Sequence, residues 1–341
     1  MNYNEFKDYV KENIKSFLPQ DFASARVDIH DVIKNNDTHL SSVTIIKQNE
    51  HIAPNIYLEK YYNDYNKGRN IESIMNEIAQ VRVKNSVAIN DVDKFFDINN
   101  IKNNITAQLV NYETNKQRFQ YIPYTRIGDL AIVYRIKVPQ FTTELQEASC
   151  IISNDFQKRY DISTEELHSI ALKNTPELYP ARFESLSEIL YGENLEEVSQ
   201  ESADLGMYIL SNDARTDGAI ALLYPGMLNN IGKLLNNNFY VIPSSIHETI
   251  IVKDNKLISP EALNNMVKIV NLESLKKEEV LSEHVYEYDF DNKILYNAED
   301  KSVVFSCQDN EEEFKPSPLL NNLFKHEQGI DNFDIEPDVN M

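Results

Sequence analysis

Residues 25–48 read ARVDIHDVIKNNDTHLSSVTIIKQ, and this stretch decides the fold class. Its two outer parts, 25–34 and 40–48, alternate polar and apolar side chains or run apolar, which is typical of β-strands. Between them, residues 35–39 (NNDTH) have the composition of a turn. The stretch therefore predicts a β-hairpin.

Apolar side chains at helical spacing predict helices on both sides of this hairpin. Before it, the apolar residues of 3–17 recur every three or four positions, as on an amphipathic helix. After it, Asn70, Ser163 with Glu166, and Ser259 with Pro260 have the residue types that begin helices. The segments predicted as helices are 3–17, 58–65, 71–78, 163–174 and 259–271, together with a short helix after Pro225.

Short apolar runs predict the remaining strands. Residues 284–297, HVYEYDFDNKILYN, repeat the hairpin pattern with a turn at 289–293. Residues 95–123 indicate mixed helix and irregular chain, and 155–191 indicate a helical region. The other segments predicted as strands are 129–138, 148–153, 206–211, 219–224, 239–245 and 248–252, with a hairpin turn at 211–218.

Hairpins that alternate with helices favour the α+β class, with a mixed or mostly antiparallel sheet built from hairpins and flanked by helices. We expect an N-terminal helix, hairpin and helix region at 1–90 and a main α+β region at 91–308, as two domains or packed as one. From 309 the composition becomes acidic, with nine Asp and Glu against two Lys, which predicts a mostly disordered tail at 309–341. Within it, Leu319, Leu320, Leu323 and Phe324 have the spacing of a short amphipathic turn.

The charge balance excludes several kinds of partner. Lys and Arg number 33 against 54 Asp and Glu, a formal net charge of -21. A chain this acidic repels phosphate backbones and anionic lipid, so neither nucleic acid nor membrane is expected as a partner. The N-terminus lacks the pattern of a signal peptide, and Cys150 and Cys307 are expected to be reduced, buried thiols. We therefore expect a cytoplasmic protein.

The sequence lacks the common motifs that indicate a catalytic centre or a cofactor-binding site. No G-x-S-x-G elbow, HExxH zinc motif, GxGxxG turn or P-loop occurs. The loop that begins at Asp213 has Arg215 and Tyr224 where an EF-hand needs a ligand. Neither a metal nor a cofactor is predicted, no catalytic residue is assigned, and the balance is against an enzyme.

Three places are candidates for contacts with a partner. One is the turn 243–248, PSSIHE, whose polar residues are Ser244, Ser245, His247 and Glu248. Ser245 and His247 are two positions apart and would share a strand face, which leaves a hydrolase with an unfamiliar site around them as the alternative. The second is the tyrosine-rich helix, through Tyr61 and Tyr62, and the third is the tail, through Leu320 and Phe324.

Four segments carry a resemblance to a known family when taken together in this order: APNIYLEKYYNDYNKGRNIESIMNEI, LVNYETNKQRFQYIPYTRIGDLAIVYRI, YVIPSSIHETIIV and LSEHVYEYDFDNKILY. The chain resembles the domain of unknown function number 5688, a family of uncharacterised proteins from anaerobic Firmicutes. The resemblance implies a bacterial, cytoplasmic protein and implies no reaction. We expect a binding or regulatory protein that acts through protein–protein contacts, with the hydrolase as the alternative.

Overall fold

The computed structural model describes residues 1–48, 50, 53–85, 97–138, 149–186, 189, 206–243, 245–256 and 258–306. These residues form an α+β fold with antiparallel sheets, which confirms the predicted class. The chain divides into two compact units. The first unit comprises Met1–Ile105, Thr114–Pro123 and Arg135–Ser163, and the second comprises Thr106–Glu113, Tyr124–Tyr134 and the chain from Thr164 onward.

The helices begin largely where the capping residues predict them. Asn70 accepts hydrogen bonds from two backbone N–H groups at the start of one helix, and Ser259 caps another that has proline in its first turn. The α-helices are α1 Tyr3–Asn13, α2 Glu59–Asn66, α3 Ile71–Lys84, α4 Ile98–Asn103, α5 Asn154–Tyr160, α6 Thr164–Leu178, α7 Met227–Leu235 and α8 Pro260–Glu273.

The strands confirm two of the three predicted hairpins, those at 25–48 and 284–297. The strands are β1 Arg26–Lys34, β2 Thr38–Ile46, β3 Asn55–Tyr57, β4 Ile105–Asn111, β5 Tyr124–Ile127, β6 Leu130–Lys137, β7 Ser149–Ile151, β8 Ala181–Ser185, β9 Met207–Asn212, β10 Phe239–Ile242, β11 Thr249–Lys253, β12 Tyr286–Asp289, β13 Ile294–Asn297 and β14 Val303–Ser306.

The first unit places α1, α2 and α3 against the sheet β1-β2-β3. In the β1–β2 hairpin, Arg26 pairs with Ile46 and Lys34 with Thr38, so the turn is three residues long. Fully buried apolar side chains from α1, β2 and α3 form the core. Arg82 of α3 is also fully buried, and its Nε donates to the Ile45 carbonyl at 2.6 Å.

The second unit contains a seven-stranded sheet with the order β14-β13-β12-β10-β11-β9-β8. Helix α8 packs on it, with Leu263 and Val267 in a core cluster that includes Tyr240 and Ile242 of β10. A further sheet has the order β4-β6-β5. Strand β7 pairs with the end of β6, Arg135–Lys137, and both of these segments belong to the first unit. Strand β14 is an edge of the seven-stranded sheet and is the last described element.

Three secondary-structure predictions were wrong. Residues 219–224 were predicted as a strand, but Gly218–Leu223 form a 3₁₀ helix. Strand β9 pairs with β8 on one side and with β11 on the other, so residues 219–224 cannot pair with it as a hairpin partner. Strand β4 lies within the segment expected to be irregular, and β8 lies within the segment expected to be helical.

Some predictions concern exposure or fall outside the described residues. Cys150 is an exposed free thiol because β7 is a three-residue strand at a sheet edge, so the prediction that it is buried was wrong. Cys307 and the tail 309–341 lie outside the described residues. Within the described part of the chain, no helix combines the length and the apolar character needed to cross a membrane.

Candidate functional site

Several of the sequence segments that carry the resemblance meet in the second unit. The segment 279–282 is hydrogen-bonded to the turn after β10 and to the end of β4. The bonds are Ile246 N to Glu279 O (2.9 Å), Ser282 N to Pro243 O (2.9 Å) and Asn111 Nδ2 to Leu281 O (3.0 Å). Residues distant in the sequence are therefore held around one short segment.

A polar cluster lies at the centre of this meeting point. Asp129, in the turn between β5 and β6, accepts hydrogen bonds from the Tyr286 hydroxyl at 2.9 Å and from Ser282 Oγ at 3.3 Å. Tyr286 and Ser282 are fully buried. Burial, and then the charge of Asp129, raise the pKa of Tyr286 well above its ordinary value. The tyrosine therefore stays neutral and acts as a donor, which makes the cluster a clamp between chain segments.

Two buried asparagines of α8 form hydrogen bonds with Ser282 and with residues that follow it. Asn264 accepts from Val285 N at 2.8 Å and donates to Glu299 Oε1 at 3.0 Å. Asn271, two turns later, donates to the Ser282 carbonyl at 2.9 Å. Buried amides with these partners fix the rotation of a helix about its axis because each needs its own acceptor or donor. The orientation of α8 is thus set by polar contacts as well as by Leu263 and Val267.

The opposite side of α8 is apolar and faces solvent. The exposed fractions are 44% for Met266, 56% for Ile269, 41% for Val270 and 85% for Leu272. Among the described residues, nine large apolar side chains are exposed, and four of them lie on this one helix. A surface helix ordinarily buries its apolar stripe and exposes polar residues. We call these four residues the outer face of α8.

The spacing of the outer face suits contact with another helix. Met266, Ile269 and Val270 stand at i, i+3 and i+4, so their side chains are neighbours on the helix surface. Lys268 is exposed one turn before Leu272, at the margin of the face. Contiguous apolar surface of this kind marks contact sites in soluble proteins. The arrangement can bind an apolar surface and has no evident use in bond-making chemistry.

The predicted site around His247 has the hydrogen bonds of a turn. Ser245 is buried, and its Oγ accepts from the backbone N–H of His247 at 3.0 Å. The Nδ1 atom of His247 accepts from the backbone N–H of Asp217 at 3.2 Å. The His247 carbonyl accepts from Ser211 Oγ at 2.8 Å. Each of these bonds ties a side chain to backbone, which shapes the chain locally.

Gly218 allows this turn to close. A side-chain carbon at Gly218 would overlap Ser211 Oγ and the His247 carbonyl oxygen. The glycine is therefore required by the close approach of the β9 end to residue 247. Glu248 is partly buried next to this turn, and Ser244 lies outside the described residues.

The predicted tyrosine surface lies mostly within the first unit. Tyr61 is 6% exposed and belongs to the hydrophobic core. Tyr62 is partly buried, with its ring centroid 4.8 Å from that of Tyr3 and 5.5 Å from that of Phe6. Tyr3 donates a hydrogen bond to Glu59 Oε1 at 2.6 Å. These rings join α2 to α1.

No cluster of three or more His, Cys, Asp or Glu side chains placed to hold a metal ion occurs among the residues that the structure describes. Two of the predicted contact residues, Leu320 and Phe324, lie outside those residues. The outer face of α8 was not predicted. Its signal is in the sequence, since 262–272 carries apolar residues on two opposite helical faces, and a single sheet can cover only one of them.

The model of the family of unknown function DUF5688 matches residues 3–290. The chain belongs to this family. The match includes α8 and the Asp129, Ser282 and Tyr286 cluster, and it ends before β13 and β14. No curated protein matches the chain, and no solved structure matches it.

Proposed function

We propose that the chain is a binding protein that acts through protein–protein contacts, with the outer face of α8 as its docking surface. The observation that supports this is the reversed polarity of the helix. Asn264 and Asn271 face inward at 3% and 8% exposure, while Leu272 faces outward at 85%. Burying a fully exposed leucine or isoleucine contributes roughly 1.5–3 kcal/mol. The four side chains of the outer face are 41–85% exposed, so a partner that covers them gains the corresponding part of that value at each.

The partner that fits is a protein presenting an amphipathic helix. Side chains at i, i+3 and i+4 on α8 form ridges, and a second helix with apolar residues at the same spacing fills the grooves between them. Lys268 lies at one margin and the exposed Glu273 one turn after Ile269, so the face carries charges of both signs and the apolar spacing selects the partner helix. The buried amides of α8 keep the outer face in one orientation before binding, which reduces the entropy lost on association.

The test begins with a photo-crosslinking amino acid in place of Lys268, which leaves the four apolar residues intact. A protein captured from native cell extract is identified, purified and titrated against the unlabelled chain. We expect Ile269→Asp to weaken its binding at least about tenfold, as is typical of a residue that dominates an interface.

The matched control is Asn255→Asp, which adds the same charge to an exposed position of the same unit outside α8. Its affinity should stay within about twofold of wild type, because a charge outside the docking surface changes affinity little. Equal affinity for Ile269→Asp and wild type contradicts the proposal. The proposal is also contradicted if no captured protein binds the chain again after purification, or if the captured protein is only a second copy of this chain.

The hydrolase around Ser245 and His247 stays a prediction from the sequence. A serine nucleophile must donate its hydroxyl proton to the imidazole. Here Ser245 Oγ accepts from the His247 backbone, and His247 Nδ1 is occupied by the Asp217 N–H. These contacts support the role of a turn, and we do not advance a second function on them.

Location in the bacterial cytoplasm and origin in Firmicutes remain part of the proposal. The exposed free thiol of Cys150 supports a reducing compartment, because an exposed thiol in an oxidising one tends to form disulfides.

A further inference from the structure

We propose that residues 319–324 of this chain, LLNNLF, dock on the outer face of α8 in the same molecule and compete with the partner. The inference rests on the proposed function only in using the same surface. It concerns a different occupant, a segment of the chain that follows the last described residue, Ser306.

The chemistry of this segment matches the partner that the outer face requires. Leu319, Leu320, Leu323 and Phe324 stand at i, i+1, i+4 and i+5, so a helical turn gathers all four on one side. Asn321 and Asn322 fall on the other side. Three glutamates, 311–313, precede the segment, and the region 309–341 has nine acidic residues against two lysines. Lys268 lies at one margin of the aliphatic face and the exposed Glu273 one turn after Ile269, so the match rests on the apolar spacing and not on charge.

The chain that leads to this segment is long enough. Strand β14 ends at the edge of the seven-stranded sheet, and β10, on which α8 packs, is the third strand from it. Neighbouring strands are about 4.8 Å apart, so the sideways distance is about 14 Å. A helix on a sheet adds about 15 Å to its far side. The twelve residues 307–318 extend to about 40 Å.

Connection in one chain makes weak binding sufficient. A segment tethered by a short flexible linker has an effective concentration in the millimolar range at its site. Even a contact with a Kd near 0.1 mM would then occupy about nine-tenths of the molecules. A partner must displace the segment, so its apparent affinity falls by about tenfold.

The first experiment uses the purified full chain with the photo-crosslinking amino acid at Lys268. After irradiation at about 1 µM and digestion with a glutamate-specific protease, we expect a crosslink between the α8 fragment 262–273 and the fragment 314–327. The product should migrate as a monomer. A crosslink found only between two copies, or none to 314–327, overturns the inference.

A matched pair of variants shows whether the apolar residues make the contact. Leu320→Asp with Phe324→Asp should abolish the crosslink, whereas Asn321→Asp with Asn322→Asp adds the same charges to the polar side and should preserve it. A crosslink that survives the first pair overturns the inference. Neither pair touches the described structure, so loss of folding does not confuse the result.

The second experiment separates this inference from the proposed function. The partner identified through the outer face should bind the Leu320→Asp, Phe324→Asp variant about tenfold more tightly than wild type. Equal affinities overturn competition by the tail while the docking surface for a partner stands. An intramolecular crosslink in a chain for which no partner is found supports the tail contact and removes the proposed function.

Discussion

Helices α2 and α8 show how differently two apolar-rich helices can be used in one chain. Helix α2 carries tyrosines, the residues most often found at binding surfaces, yet Tyr61 is 6% exposed and packs in the core of the first unit. Helix α8 carries ordinary aliphatic residues, yet Leu272 is 85% exposed. Residue type alone therefore does not predict which helix exposes its apolar side chains.

The difference comes from what faces each helix. Tyr62 of α2 contacts Tyr3 and Phe6 of α1, and its side chain is partly buried. The inner side of α8 instead has asparagine at two positions, Asn264 and Asn271, which form hydrogen bonds with backbone groups of 282–285. Apolar residues that the inner side does not use then remain outside. A helix face is exposed when no neighbouring element covers it, whatever its composition.

The largest effect expected is at Tyr61. Tyr61→Ala removes a nearly buried ring from the core, and large-to-small changes of aromatic residues cost about 3–5 kcal/mol of unfolding free energy. Tyr121→Ala is the control in the same unit, because its ring is 60% exposed, and it should cost less than about 0.5 kcal/mol. Urea denaturation measures both. Similar values for the two tyrosines would mean that α2 does not bury its ring.

A pair of leucines on α8 tests the two sides of one helix. Leu263→Ala opens a cavity at a fully buried position and should cost about 3 kcal/mol. Leu272→Ala, made in the Leu320→Asp, Phe324→Asp background so that the tail does not cover the face, removes the same atoms from a position 85% exposed and should cost less than about 0.5 kcal/mol. Helix propensity is nearly the same for both residues, so it does not separate the two changes. A loss above 2 kcal/mol at Leu272 would show that the outer face is already covered.

Local signals in the sequence account for much of the fold. The turn composition of 35–39 predicts the β1–β2 hairpin, and Asn70 and Ser259 predict the first residues of α3 and α8. These features depend on neighbours in the chain, so the sequence alone contains their cause.

The features that were missed depend on distant partners. Residues 219–224 are as apolar as a strand, but β11 occupies the position beside β9 that they would need. The outer face of α8 likewise follows from the hydrogen bonds of Asn271 to Ser282 and of Asn264 to Val285. Those partners cannot be chosen before the fold is known, because β-pairing and buried amides are satisfied by residues far away in the sequence.

Two adjacent asparagines test why the apolar face of α8 is turned toward solvent. Asn264→Ala leaves the buried N–H of Val285 without its acceptor, and an unsatisfied buried group costs about 1–3 kcal/mol. Asn265→Ala, at the next, exposed position, should change the unfolding free energy by less than about 0.5 kcal/mol. Urea denaturation of both variants gives the comparison. Equal effects would mean that hydrogen bonds do not set the rotation of α8.

The smallest effect concerns a third helix, α6, whose inward side carries a histidine. His168 Nδ1 lies 3.3 Å from the hydroxyl of Tyr134, whose ring is fully buried. Burial lowers the pKa of His168 and raises the pKa of Tyr134 to about 12, so both groups are neutral near pH 7. The unfolded chain binds a proton at His168 more readily than the folded chain does. The stability that His168 contributes is therefore present above about pH 6.5 and lost as pH falls through the lower folded pKa.

We expect the unfolding free energy of the wild-type chain to fall more steeply between pH 7 and pH 5 than that of His168→Gln. His39→Gln, which replaces an exposed histidine in the first unit, should follow the wild-type curve. Urea denaturation at several pH values measures all three. Parallel curves for wild type and His168→Gln would show that α6 leaves His168 in water. The rule that neighbouring elements decide which residues of a helix are buried would then fail for α6. That rule was drawn from α2 and α8, so α6 tests it independently.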